Sequence, residues 1–530
     1  MADPTVASVF LNTLKKHHVR HVFGVPTIQL GMMQDGFGKD PWFNFLTARH
    51  EESLGHMANG VAKTSNELAV CFATVGTGVA NMVPGVAAAA SDRVPMIALT
   101  SNNHLRLIEP PVDYIQTIRP LDLFRPITKW QAGLRQAERT VEVLEKAIFK
   151  SRSGCPGPVQ VDVPFDLHTM HCDLDPSSTA VPEVPRPAPS SGELDQLMEM
   201  LYAAKKPLII AGGGVARSRA VDDMREFVRR SGAAAITTTN GFGSVAEDCP
   251  TLAGNCGFWG GHGVVQACQE ADLIVSFGCR FGLLMPVNKP GYPQPASQKL
   301  VQIDIDHGQI GETVNANLGI VADAQQALRA INGELAENKL NVDAAWVRSV
   351  VSARKRFVDE CAELADKQFI EGTNTLNESA IARAVIRSLP DDAIVSVDGG
   401  QCVEWSTTWS RPIDPYHFVS NAGMAHLGAG LPMAIGAKVA NPGKAVVALV
   451  GDGALGMTIQ ELETASRYNL SIVVVVFNDA KWGMYERPNR AIFKNDNFGT
   501  TLSRSNYASV AEGLIWIDLS IITTMYPTAS

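Results

Sequence analysis

The chain has 530 residues, room for about three or four domains at roughly 150 residues each. Lys plus Arg is 45 against Asp plus Glu at 54, a formal charge of −9 at pH 7, so the basic face needed to bind nucleic acid is missing. Hydrophobic residues at 45% and charged residues at 19% exclude a disordered chain, and no apolar run approaches the roughly 18 residues of a membrane span. The N-terminus, MADPTVASVF, shows no basic stretch followed by an apolar core, so no signal peptide and a cytoplasmic location are expected. Nine cysteines, an odd count with no CxxC pair, lead us to expect neither a disulfide framework nor a zinc site from them. The 45 glycines exceed what surface turns need and hint at backbone approaching a ligand.

In chain order, His21–Val25 and Leu68–Ala73 read as strands, with Glu52–Lys63 as an amphipathic helix between them. Residues 173–192 are rich in Pro and Ser and read as an extended linker. Pro207–Ala211, Leu273–Phe277 and Leu300–Ile305 are the next strands. After Ile331 the chain turns polar and helical to about Lys367, then breaks at Gly372, Thr373 and Asn374. Ile394–Val397, Ala445–Val450 and Ile472–Phe477 are strands again, with a helix over Thr458–Asn469. Most of these strands are apolar on both faces and alternate with helices, the pattern of parallel sheets covered on both sides. The expected fold is three doubly wound α/β domains over 1–172, 193–335 and 375–530.

The strongest chemical signal is the strand that ends in Gly451-Asp452-Gly453. Ligands in such sheets bind at the carboxyl ends of strands. The two glycines let the backbone bend and approach a phosphate, and the next helix points its N-terminus at it. Asp452 would repel that phosphate unless a cation lay between, most simply Mg²⁺. Alone, the turn reads equally well as a capping Asp in an ordinary strand-to-helix connection. One helix and one strand later come Asn478-Asp479-Ala480-Lys481-Trp482-Gly483. Asp452, Asp479 and a backbone carbonyl such as that of Lys481 would then share one edge and one octahedral ion.

The block from Gly451 to Gly483 resembles the diphosphate-binding motif of thiamine-diphosphate (ThDP) enzymes. Within them the chain is similar to the acetolactate synthase, pyruvate oxidase and aldehyde lyase group. The second metal ligand there is commonly Asn; Asp479 holds the register here and Asn478 is the second choice. Arg49-His50-Glu51 ahead of a helix would by itself be a helix N-terminus, where the dipole favours carboxylates. The resemblance implies that Glu51 hydrogen-bonds the aminopyrimidine of the cofactor, so that this ring removes the C2 proton of the thiazolium. It also implies that Gly76, Gly78 and Asn81 flank the pyrimidine, and that Gly400 and Gln401, after Asp398-Gly399, lie over the diphosphate. Leu427 becomes the apolar wedge that bends the cofactor, and Gly451, Gly453, Ala454 and Met484 complete its binding surface.

Gln116, in Tyr114-Ile115-Gln116 ahead of Pro126-Ile127-Thr128-Lys129-Trp130, matches a glutamine near the reacting carbon, where an amide can hydrogen-bond a substrate oxygen; as a bare sequence it is equally a loop glutamine. Of His56, His104 and His426, the last neighbours the wedge and is the candidate for moving a substrate proton. In relatives the middle domain binds FAD or an ADP moiety, or nothing; Ala211-Gly212-Gly213-Gly214, Gly260-Gly261-His262-Gly263 and Gly278-Cys279-Arg280-Phe281 are the segments in question.

The implied activity makes or breaks a C–C bond beside the carbonyl of a 2-oxo acid or 2-hydroxy ketone, acetolactate synthase-like. A benzoin-type aldehyde lyase or a 2-oxo-acid decarboxylase is the alternative. A nucleotide-dependent oxidoreductase and a non-catalytic scaffold are the readings from other classes. The implied assembly is a homodimer or homotetramer whose sites lie between chains, with small-molecule 2-oxo acids or aldehydes as substrates and neither nucleic acid nor membrane as a partner. Two positions depart from acetolactate synthase. Thr27-Ile28-Gln29 follows Pro26 where paired glycines are usual, and the tryptophan expected near Pro488 is absent. The apolar run from Leu514 and the stop at Ser530 read as a truncated or altered tail.

Overall fold

The computed structural model describes residues 4–257, 261–282, 285, 297–335, 340–369, 376–494 and 499–514. Gly260, the Gly372–Asn374 break and the apolar run beyond Leu514 lie outside them. The structure contains three parallel α/β sheets, of six, six and four strands. The first runs in the order Asn44–Thr47, His21–Gly24, Ala69–Ala73, Met96–Asn102, Pro158–Pro164, Trp130–Gly133. The second is ordered Leu318–Val321, Lys299–Asp304, Leu273–Phe277, Pro207–Ala211, Ala234–Thr237, Leu252–Asn255. The third is Phe418–Ser420, Ile394–Val397, Val446–Gly451, Val473–Phe477.

Several of the central strands are ones that composition marked out, whereas Met96–Asn102, Pro158–Pro164 and Ala234–Thr237, also buried throughout, were not. Ala69–Ala73 and Pro207–Ala211 are buried at every position, as a strand covered by helices on both faces must be. Helices then start where the sequence supplies caps: Asp323 and Asp343 each accept two backbone N–H groups at the heads of Ala324–Glu334 and Ala344–Asp366. The linker is irregular apart from one 3₁₀ turn, Pro176–Ser178, until Ser190 caps the helix Ser191–Ala203 with Glu193 in a reciprocal capping box.

Two compact units emerge. One comprises the described parts of Met1–Val184, Ile394–Gly400 and Asn421–Ser530; the other, those of Pro185–Ala393 and Gln401–Ser420. The first therefore holds both sheets whose edges carry the candidate motifs. Among the described residues no helix is long and apolar enough to cross a membrane.

Candidate functional site

The Gly-Asp-Gly turn sits at the carboxyl end of Val446–Gly451, and Gly451 pairs with Phe477, the last residue of the neighbouring strand. Gly451 is extended and caps a helix that begins at Asp452, six residues earlier than the sequence pattern suggested. That helix, Asp452–Thr458, is followed by Glu461–Arg467 in place of one helix over Thr458–Asn469. The early start follows from the turn itself: the chain enters αR geometry directly at the aspartate, which puts its carboxylate beside the free N–H groups of the first turn.

Asp452 is 2% exposed. Its Oδ1 accepts the Gly453 N–H at 2.9 Å, while the buried Oδ2 has no hydrogen-bond partner. Asp479 takes the Lys481 N–H at 3.1 Å, and burial, with the charge of Asp452 next, pushes its pKa up to about 6. Burial likewise raises the Asp452 carboxyl. Two neighbouring carboxylates, one with an orphaned oxygen, repel each other and suit a shared divalent cation. The Lys481 ammonium offsets this only in part: its charge draws the Asp479 pKa down, but it also pairs with Glu486 at 3.0 Å. Trp482 covers the turn from one side: a Cβ on Gly453 would lie 2.6 Å from its ring. Above Gly451 a Cβ would meet nothing within 4 Å, so this face of the turn is open. Ala454 is buried in the same helix, and Met484 is half-buried in Gly483–Pro488.

A second group forms in the N-terminal sheet. Glu51 opens the helix Glu51–Ser65, capped by His50, whose Nδ1 accepts the Glu52 N–H. Glu51 Oε2 accepts a hydrogen bond from Asn81 Nδ2 at 3.0 Å, and Oε1 lies 3.0 Å from where a Gly78 Cβ would be. Gly76 has φ +75°, and a Cβ there would fall 2.6 Å from the carbonyl of Gln116. Glu51, Gly76, Asn81 and Gln116 thus lie together although the chain between the first and last spans 65 positions (116 − 51). Gln116 itself is exposed and left-handed, φ +62°.

A third group joins the two. Asp398 is buried and accepts backbone N–H groups from Gly399, Gly428 and Gly430 at 2.8, 3.0 and 2.7 Å. Burial outweighs those bonds and holds its pKa at about 6. Leu427 packs on this turn, its Cδ2 lying 2.8 Å from where a Gly399 Cβ would be. Gly400 follows at φ +95° with open space before it, and Gln401 starts the helix Gln401–Trp409. His426 turns its Nδ1 towards Glu52 at 3.5 Å, and its ring lies 5.2 Å from that of the buried His56. His104 lies apart from these groups, against Phe165 and Asp166.

Two contributors escaped the sequence reading. Glu461 is fully buried and accepts the backbone N–H groups of Arg49 and His50, both at the entrance to the Glu51 helix. Asp398, which in sequence is only part of a glycine turn, fastens the 427–430 segment through its carboxylate. In both cases the partners that matter for the site, Arg49 and His50 for Glu461 and Gly428 and Gly430 for Asp398, are backbone amides remote in sequence, which leave no trace in residue type.

In the second unit, the glycines of 212–214 are engaged by the protein itself. The N–H groups of Gly212 and Gly214 donate to the carbonyls of Phe277 and Gly278, and a Cβ on Gly212 would fall 2.2 Å from Gly278 O. A phosphate at that turn would find those two amides already used. His262 pairs with Glu360 at 2.7 Å.

Comparison with known proteins gives matches across the chain. Residues 4–122 match the N-terminal TPP-binding domain of thiamine pyrophosphate enzymes, 194–331 their central domain, and 398–519 their C-terminal TPP-binding domain. The chain is 31% identical over 497 residues to the "Probable acetolactate synthase large subunit" of Methanococcus aeolicus, covering 90% of this chain and 81% of the relative. It is 30% identical over 488 residues to the acetolactate synthase large subunit of Lactococcus lactis, covering 91% and 82%. It is similarly 30% identical over 527 residues to the sulfoacetaldehyde acetyltransferase of Rhodobacter capsulatus, covering 96% and 88%.

Proposed function

Because the chain belongs to the thiamine pyrophosphate enzyme family, we propose that it is a ThDP- and Mg²⁺-dependent carboligase of the acetolactate synthase type, acting on 2-oxo acids. The single observation that carries this reading is the Asp452–Asp479 pair at the ends of adjacent parallel strands, with one buried carboxylate oxygen unpartnered. Bound ThDP would supply the nucleophilic carbon that makes or breaks a bond beside a carbonyl.

The chain's own residues have separate tasks. Asp452 and Asp479, with the carbonyl of Lys481, would hold Mg²⁺ against the diphosphate. Gly451, Gly453 and Ala454, together with Gly400, would line the diphosphate, and Leu427 and Met484 the thiazolium. Glu51 would hold a proton at the pyrimidine, with Asn81 fixing the carboxylate at 3.0 Å. Gln116, beside Gly76, would orient a substrate oxygen. The sites would be completed between two chains of a homodimer or homotetramer. In the second unit the Gly212 and Gly214 amides are used within the protein, and no step is assigned to FAD.

The alternative, an aldehyde lyase or decarboxylase, is favoured by one feature: Ile28 is 78% exposed in the loop where paired glycines are usual in acetolactate synthase. Product analysis of the ThDP- and Mg²⁺-loaded protein given pyruvate, benzoylformate and benzoin in parallel separates these readings. Acetolactate from pyruvate is the expected outcome. Cleavage of benzoin without acetolactate would transfer the assignment to the lyase, and absence of any ThDP-dependent thermal stabilisation would overturn both.

A further inference from the structure

The contact between the Glu51–Ser65 helix and the 421–429 segment contains a cluster that the proposed chemistry does not use. Glu52 and His56 are one helical turn apart and project from the same face. His426 reaches them from a turn shaped by left-handed Ala425 and Gly428. One ligand atom from each of the three lies within 4.8 Å of the others. Four of their polar atoms are buried without a hydrogen-bond partner: Glu52 Oε1, His56 Nδ1, His56 Nε2 and His426 Nδ1. His56 is 0% exposed, so bulk solvent does not reach either of its nitrogens. A buried polar group in that condition costs free energy, and a site with several of them calls for a bound species.

We propose that Glu52, His56 and His426 form a second metal site, for a divalent ion of the zinc class. Two imidazoles and one carboxylate are a donor set suited to Zn²⁺ or Co²⁺, with a fourth position for water. Mg²⁺, which prefers oxygen donors, would be selected against, which separates this site from Asp452 and Asp479. Ligand atoms of a tetrahedral ion stand about 3.4 Å apart. Glu52 Oε1 and His426 Nδ1, at 3.5 Å, already have that spacing. An ion here would clamp the residue after Glu51 to the residue before Leu427. It also gives His426 a ligand role in place of proton transfer. A bridging water network is the competing occupant.

The test uses chelator-treated full-length protein with excess Mg²⁺ and titrates Co²⁺ while recording visible absorption. The expected result is one equivalent per chain with the intense absorption of a four-coordinate ion. Asp452→Asn should retain it, because that residue belongs to the other site. Glu52→Gln and His426→Ala, at partly exposed positions, should weaken Co²⁺ binding by at least ~10-fold, with far-UV circular dichroism of the metal-free proteins unchanged. Zn²⁺ should raise the melting temperature of the parent protein and not of those two variants. Absence of the Co²⁺ spectrum in the parent, or its persistence in both variants, overturns the proposal. The readout is independent of turnover, so a failure here leaves the ThDP assignment standing, and the converse holds.

Discussion

Glu461 shows how one side chain can set the position of another more than 400 residues away. Its carboxylate takes the Arg49 and His50 N–H groups and the Thr464 hydroxyl, the last at 2.7 Å. Glu461→Ala would leave two partly buried backbone donors without their acceptor, at up to roughly 1–3 kcal/mol each. We expect a clear drop in the urea midpoint from that variant. Glu461→Gln keeps an acceptor and should be much milder. The two also differ in pH dependence. Burial raises the Glu461 pKa above its ordinary 4.5, so the native state binds the proton more tightly than the unfolded chain. Its contribution to stability is therefore fully present below 4.5 and is lost as pH rises through the folded value. The stability of Glu461→Gln relative to the parent should improve as pH rises above 4.5 and through the folded value; a flat difference in denaturation midpoints would contradict this. At the proposed site, Glu51→Gln should bind ThDP, read as a retained thermal shift, and lose at least ~100-fold in turnover, the usual scale of a proton-transfer contribution.

At the scale of elements, the same unit is held by a crossing of two glycine-bearing helices. A Cβ on Gly60 of Glu51–Ser65 would fall 2.1 Å from Met433 O, and one on Gly436 of Gly430–Ala440 would fall 1.9 Å from Met57 O. The backbones meet with no side chain between, in two reciprocal contacts. Gly436→Ala forces them apart and should cost about 1–3 kcal/mol or more, even though alanine is the better helix former. Gly443→Ala, where a Cβ meets nothing within 4 Å, is the matched neutral control. Equal melting temperatures for the two variants would sink this account. Such a crossing was not legible beforehand, because a glycine in a helix pattern does not announce what it faces. Central strands such as Ala69–Ala73, Pro207–Ala211 and Leu273–Phe277 were legible to within one or two residues, since burial on both faces demands apolar runs; the equally buried Met96–Asn102, Pro158–Pro164 and Ala234–Thr237 were not marked out, the second because Gln160 and Asp162 interrupt its apolar pattern. The edge strands Asn44–Thr47, Trp130–Gly133 and Leu318–Val321 were not, because each is short and only partly buried. At the site, Glu51, Asp452 and Asp479 stood out because their neighbours in sequence form the motif. Asp398 and Glu461 did not, since their partners are amides brought in by the fold.

Across the whole molecule, the chain enters the first compact unit three times, through 4–184, 394–400 and 421–514. The residues proposed for the pyrimidine and for the diphosphate thus come from opposite ends of the sequence. If the sites form between two chains, Glu51 of one protomer works with Asp452 of the other, and complementation distinguishes this from a site built within one chain. Glu51→Gln and Asp452→Ala should each abolish turnover alone. Unfolded together and refolded at equal amounts, random pairing makes half of the dimers mixed. Each mixed dimer carries one site with both defects and one with neither, so about a quarter of the parent activity should return. A site contained in a single chain predicts no recovery at any mixing ratio, because every chain would still lack one essential carboxylate.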